Sequence, residues 1–497
     1  MKKKKDFIFA ASTNAFQVEG GRDLCGRTAS TWDDFTKTNY FVTTGDPTVR
    51  EIDSIDVSAD LFHKYNTDAR IMKKMGLQGL VYCMDWTRIC PKDDLYINPE
   101  GIKFYYDFYS ELKRNGVMPI PVLFHWDVPM WAQVRGGFEN RKCVEWFRLY
   151  ARACFKYLGK LTDYWFVSDE NSNFLFHGYI NAIMPPQRQD HTAFARALHN
   201  LNLAAAATME EFIEAKKQGW VNKEAKLGFC HDWSPGISYR EKQDKKAMDI
   251  YDEWFLDLFV EPNFKGTYPK AFLNWLSKNK IDAKIAEEDL DYLKKYKFNF
   301  LGWNYYRPAY IASLDLDEPS ARFKRAHEKS FTNDYYTVYP ITENYTKWNW
   351  IVNPNKIIYG AKVITERYGK NITLFMTENG YGDTDDKSAE MILDLDRIKY
   401  LSVHLAEVLK AKEQGLNFIG YALWTYCDIF SPSAGYKKDY GLVSVNFFSK
   451  IRERKPKLSF CWYQQVIESD GKNLSIDVNE LESKLRTTLS EWDLFYK

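Results

Sequence analysis

The 497-residue chain contains no apolar run of about 18 residues, which excludes a membrane-spanning helix. An excess of one charge is missing too: 68 Lys and Arg stand against 67 Asp and Glu, for a formal net charge of +1. The basic residues are scattered rather than gathered into a stripe, so neither nucleic acid nor a membrane surface is an expected partner, and the partner should be a small molecule. The eight cysteines stand apart, with neither metal-ligand spacing nor a compact disulfide framework, which suits a reducing compartment and predicts a cytoplasmic protein with no metal site. No Gly/Ser-rich, Pro-rich or highly charged stretch divides the chain, so a single domain over 1–497 is expected although the length would allow more. Lys2 to Lys5 ahead of FIFAA imitate the start of a signal peptide. However, Asp6 interrupts the charged-to-apolar transition, the apolar stretch is about half the usual length, and Asn14, Gln17 and Glu19 follow at once, so export is not expected.

What the chain does have is aromatic bulk: 16 Trp, 33 Tyr and 33 Phe, enough for a large core and for the aromatic walls of a cleft. Short apolar runs recur at FIFAAS from Phe7, GLVYCM from Gly79, IPVLFH from Ile120, YWFVS from Tyr164, KLGFCH from Lys226, FNFLGW from Phe298, ITLFMT from Ile372 and FIGYALW from Phe418. They are too continuous in hydrophobicity to be half-exposed, and read as strands buried on both faces of a parallel sheet. Between them lie amphipathic stretches of helical period that stop at Gly: Ala59 to Gly76, Gly101 to Gly116, Lys142 to Gly159, Thr192 to Gly219, Pro354 to Gly369 and Asp394 to Gly415. Strand–helix alternation without a Gly-rich phosphate loop after the first strand predicts an α/β fold, a closed (β/α)8 TIM barrel rather than an open doubly wound sheet. Insertions around 232–245 and 308–347 carry the excess length as long βα loops.

Such a barrel places its chemistry where strands end and βα loops begin. The fourth strand ends in Val167-Ser168-Asp169-Glu170 and the seventh in Met376-Thr377-Glu378-Asn379-Gly380. Either Glu taken alone reads more readily as a solvated loop acid. Together, on opposite sides of one barrel mouth, they are what glycoside hydrolysis needs: an acid to protonate the leaving oxygen and a carboxylate to attack carbon.

From its first strand to its last the chain resembles glycoside hydrolase family 1, through Gln17-Val18-Glu19-Gly20, Trp86-Thr87-Arg88-Ile89, His125-Trp126-Asp127-Val128-Pro129, Asn304-Tyr305-Tyr306, Thr377-Glu378-Asn379-Gly380 and Asp396-Arg397-Ile398. The resemblance implies a retaining double displacement with carboxyl groups about 5 to 5.5 Å apart, a glycosyl ester on Glu378, and Glu170 switching from acid to base, with no cofactor. It further implies that Tyr306 hydrogen-bonds the nucleophile, that Gln17, His125 and Asp169 hold sugar hydroxyls, that Trp424 forms a platform under the glycone, and that Trp350 lines the leaving-group side.

After the eighth strand, ordinary β-glucosidases of the family carry a Glu-Trp pair, whose Glu binds the sugar's 4- and 6-hydroxyls. This chain has Ser431-Pro432, with Lys438 seven residues on and Tyr440 two beyond it, a pattern similar to the 6-phospho-β-glucosidase and 6-phospho-β-galactosidase branch. A carboxylate there would repel phosphate; a hydroxyl, an ammonium and a phenol can share its oxygens. The expected substrate is thus a phosphorylated disaccharide or aryl glucoside. Pro432 in place of the Trp of phosphogalactosidases favours the gluco configuration. The competing classes are a β-glucosidase acting on unphosphorylated sugar and a sugar-phosphate-binding barrel that has lost turnover. Self-association is left open.

Three departures from the family pattern sit beside the chemistry: Val81 for an Arg that supports the nucleophile, Asp169 for the Asn before the acid/base, and Asn171 for the Pro after it. Losing a cation and gaining a carboxylate both disfavour ionised Glu378. A slowed enzyme that needs a higher pH on its acid side is the expectation.

Overall fold

In a computed structural model, the protein is described over residues 6–38, 54–93, 96–316 and 327–492, which leaves Lys2 to Lys5 outside the described residues. Eight parallel strands close into a barrel: β1 (Ile8–Asn14), β2 (Gly79–Cys83), β3 (Met118–Val122), β4 (Tyr164–Phe166), β5 (Lys226–Asp232), β6 (Phe300–Asn304), β7 (Thr373–Glu378) and β8 (Phe418–Trp424). Each falls on one of the eight apolar runs. Closure is made by β1 against β8, with Ile8 opposite Gly420 and Ser12 opposite Trp424.

Both faces of the strands are covered, which accounts for their unbroken hydrophobicity. Inward-pointing residues, among them Ile8, Val81, Cys83, Ile120, Phe166, Phe300 and Phe375, fill the barrel as one buried cluster. The opposite faces pack under the surrounding helices in a much larger cluster. Where bulk fills the barrel, glycine is required: a Cβ on Gly302 of β6 would lie 2.5 Å from Cys230 Sγ and 2.8 Å from Thr377 Cγ2.

The helices start and stop on local signals. Asn98 caps Pro99–Arg114, with Pro at its first position. Asp190 accepts from the backbone N–H groups of Thr192 and Ala193 to open the 27-residue helix His191–Lys217. Gly76 ends Leu61–Met75 at φ +83°.

The two insertions do more than lengthen loops. Gly236–Ser238 from the first pairs in parallel with Ala309–Ala312 from the second, which pairs antiparallel with Tyr336–Val338 and through it with His327–Lys329. This separate four-stranded sheet lies outside the barrel. It is clasped by Asp244, which accepts from the backbone N–H and hydroxyl of Ser313 (2.8 and 2.7 Å) and from Arg240 (2.8 Å). All eight cysteines are free thiols, seven of them buried.

Candidate active site

Strand tips converge at the carboxyl end of the barrel. Asp232 of β5, Asn304 of β6 and Glu378 of β7 occupy one rung across three adjacent strands. At Glu378 the register slips by a residue after Met376, a bulge that re-aims the side chain inward. Glu170 follows β4 at φ +48°, a left-handed conformation that costs a non-glycine residue about 1 kcal/mol or more. Its carbonyl accepts from the indole N–H of Trp126 (3.1 Å), itself at φ +72°, so two strained residues hold one another in place.

These tips open into a cleft of about 310 Å³ lined by Gln17, His125, Glu170, Tyr306, Trp350, Glu378, Trp424, Ser431 and Tyr440, nine of the eleven residues singled out in the sequence. The Tyr306 hydroxyl donates to Glu378 Oε2 at 2.6 Å. Glu170 accepts from Asn173 (2.9 Å) and Asn304 (3.1 Å), with His125 Nε2 at 3.7 Å. Gln17 donates to the backbone carbonyl of Phe430 (2.9 Å), and Trp350 meets Tyr306 edge-on at 5.2 Å.

The remaining two residues stand just behind the wall. Asp169 is fully buried, and its Oδ1 accepts from the same Asn304 amide that serves Glu170 (3.0 Å). Lys438 is boxed by aromatic rings, its Nζ 4.2 Å from the centre of Trp350, 4.8 Å from Trp348 and 5.0 Å from Tyr440.

The sequence reading missed Asn304 as the amide shared by two carboxyls, Asp232 and Asn173 in the lining, and Arg307, which also faces the cleft. Asn304 and Asp232 carried a usable signal, since both stand at strand tips. Arg307 had only its place after Tyr306.

The electrostatics are lopsided. Burial, then the charges of Asp169 and Glu170, push Glu378 well above the usual carboxyl range. Burial, then Glu170, pushes Asp169 up to about 7. Burial acts the same way on Glu170, but His125 and the Asn173 and Asn304 amides outweigh it and hold Glu170 below the ordinary value. In the free site protons therefore collect on Glu378 and Asp169. On the far side, burial and then Arg307 pull Lys438 down to about 7.

A (β/α)8 barrel with two buried glutamates at the tips of its fourth and seventh strands, one bonded by a tyrosine, defines a glycoside hydrolase. The glycosyl hydrolase family 1 model matches residues 2–472, and the chain belongs to that family. It is 30% identical to an aryl-phospho-beta-D-glucosidase of Bacillus subtilis, covering 95% of this chain and 98% of that one. It is also 30% identical to a 6-phospho-beta-galactosidase of Clostridium acetobutylicum, covering 96% and 99%. The family 1 β-glucosidase of Thermotoga maritima superposes with a TM-score of 0.83 at 26% identity, over 95% of this chain and 99% of that one.

Proposed function

We propose that the protein is a retaining β-glycosidase that hydrolyses 6-phospho-β-glycosides, with phosphoglucosides favoured, and that the barrel acts as a single domain. The observation that carries the phosphate is Lys438. Among the described residues six Lys and Arg are buried, and five face carboxylates: Arg27 with Asp33 and Asp85, Arg88 with Glu19, Arg397 with Asp385 and Asp394, Arg454 with Asp68, and Lys457 with Asp385 and Asp428. Lys438 alone has rings instead. A buried ammonium without a counter-charge is costly, and one beside a substrate cleft is an ion pair waiting for its anion. Ser431 and Tyr440 line the cleft next to it, and Arg307 adds a second positive charge.

In the proposed reaction Glu170 protonates the glycosidic oxygen while Glu378 attacks the anomeric carbon, forming a glycosyl ester. Glu170 then takes a proton from the water that cleaves the ester. Tyr306 stabilises the ionised form of Glu378. Gln17, His125 and Asp169 hold the ring hydroxyls, Trp424 underlies the glycone, and Trp350 borders the aglycone. The reacting state needs the proton on Glu170 and the charge on Glu378, the reverse of the free site. This shift slows the enzyme at low pH.

The test is hydrolysis of p-nitrophenyl β-D-glucoside 6-phosphate beside its unphosphorylated twin and the galacto 6-phosphate analogue, with Glu378→Gln as control. Cleavage of the phosphoglucoside, abolished in the variant, supports the proposal. Preferential cleavage of the plain glucoside would overturn the phosphate specificity, and binding of glucose 6-phosphate without any turnover would overturn the catalysis.

A further inference from the structure

Three adjacent barrel strands bring together a group of side chains that the reaction does not need as a set. Cys83 ends β2, His125 follows β3 and Asp169 follows β4. All three are buried, and one ligand-capable atom of each (a thiol sulfur, a ring nitrogen and a carboxylate oxygen) lies within 4.8 Å of the other two. Cys83 Sγ is 3.3 Å from His125 Nδ1. A zinc ion about 2.3 Å from sulfur and about 2.1 Å from nitrogen, at a tetrahedral angle, spaces those atoms about 3.6 Å apart, so little movement is needed to admit one.

Two further observations point to a cation. Asp169 Oδ2 is buried without a hydrogen-bond partner. The surrounding floor carries Asp169, Glu170, Asp232 and Glu378, whose polar contacts come from amides, hydroxyls and imidazoles and, among the described residues, from no Lys or Arg. The contrast with the acidic trio Asp385, Asp428 and Asp439 is informative, because Lys387, Lys457 and Arg397 already neutralise that group.

We propose that Cys83, His125 and Asp169 bind a thiophilic divalent cation of the zinc type, and that this cation excludes the sugar. The mixed sulfur, nitrogen and oxygen donor set suits zinc rather than magnesium or calcium, which prefer all-oxygen shells. On binding, the Cys83 S–H bond breaks, its proton leaves to solvent and a sulfur–metal bond forms. With thiolate and carboxylate both ionised, the two negative charges balance the ion. The ligands come from positions 83, 125 and 169, so no short spacing announced them in the sequence, where no metal site was expected. His125 and Asp169 are also the groups proposed for sugar hydroxyls, so cation and glycone compete.

The test is titration of the metal-stripped full chain with cobalt(II), read by the near-ultraviolet thiolate-to-cobalt band. Wild type and Cys25→Ser, which removes the one cysteine that is not buried, should show the band at one equivalent. Cys83→Ser should lose it, and Asp169→Asn should bind roughly tenfold more weakly or worse. No band in wild type, or a band that survives Cys83→Ser, overturns the site. Zinc inhibition of hydrolysis, reversed by chelator and lost in Cys83→Ser, tests exclusion of the sugar. Only that second arm rests on the proposed activity, so failure of cobalt binding and failure of phosphoglucoside cleavage are told apart.

Discussion

At the scale of single residues, Lys438 sets function against stability. Its buried ammonium faces indole and phenol rings rather than a carboxylate. Lys438→Met keeps the bulk and removes the charge. It should lower kcat/KM for the phosphoglucoside roughly 10- to 100-fold, leave the plain glucoside nearly unchanged, and raise unfolding stability by about 1 kcal/mol. Steady-state kinetics on the paired substrates and a denaturant titration read both signs. Tyr306→Phe should cost roughly 10- to 100-fold in kcat, because it deletes the 2.6 Å charge-assisted bond to Glu378. Asp169 tests the acid side of the pH profile. As the proposed nucleophile, Glu378 must be ionised to attack, and a raised pKa moves the acid limb of kcat/KM upward. Asp169→Asn removes one of the charges that raise it, so with metal chelated its acid limb should lie at lower pH than that of wild type.

Among elements, the sheet built from the two insertions lies beside the cleft, since Ser234 and Arg307 at the roots of its strands line it. Asp244→Ala would unclasp it by removing the acceptor of Ser313 and Arg240. The expected result is faster hydrogen exchange over 236–238 and 309–312, and a higher KM with a smaller change in kcat. This sheet also marks where sequence reading stopped. All eight barrel strands were legible because each is an unbroken apolar run, and Glu170 and Glu378, the proposed catalytic pair, were singled out because strand tips are where a barrel puts its chemistry. The strands of the outer sheet are three or four residues long and pair Gly236–Ser238 with a segment about 70 positions away, so they carry too little periodicity to register. Asn304 was legible as part of a motif but not as the shared donor to Asp169 and Glu170, because that role depends on β6 lying between β5 and β7. The Cys83, His125 and Asp169 cluster likewise exists only once three strands are side by side.

For the molecule as a whole, acid should weaken the fold through buried histidines. His231 donates from Nε2 to the Phe255 carbonyl, His404 from Nδ1 to that of Tyr400, and burial pulls both down to about 4. In the unfolded chain they titrate near 6.5. A depressed folded pKa means stability that is complete above about 6.5 and drains away as pH falls toward 4, by roughly 3 kcal/mol per residue. Urea titrations across that window should show the loss, and His404→Gln should flatten it. The closure of β1 on β8 has a consequence in time. Ser12 pairs with Trp424, about 410 residues later in synthesis. At about 5 to 20 residues per second, the first strand waits roughly 20 to 80 seconds for its second neighbour. Through that interval the nascent chain carries an open sheet edge, and a ribosome that stalls before residue 418 releases a product poised to aggregate rather than a smaller barrel.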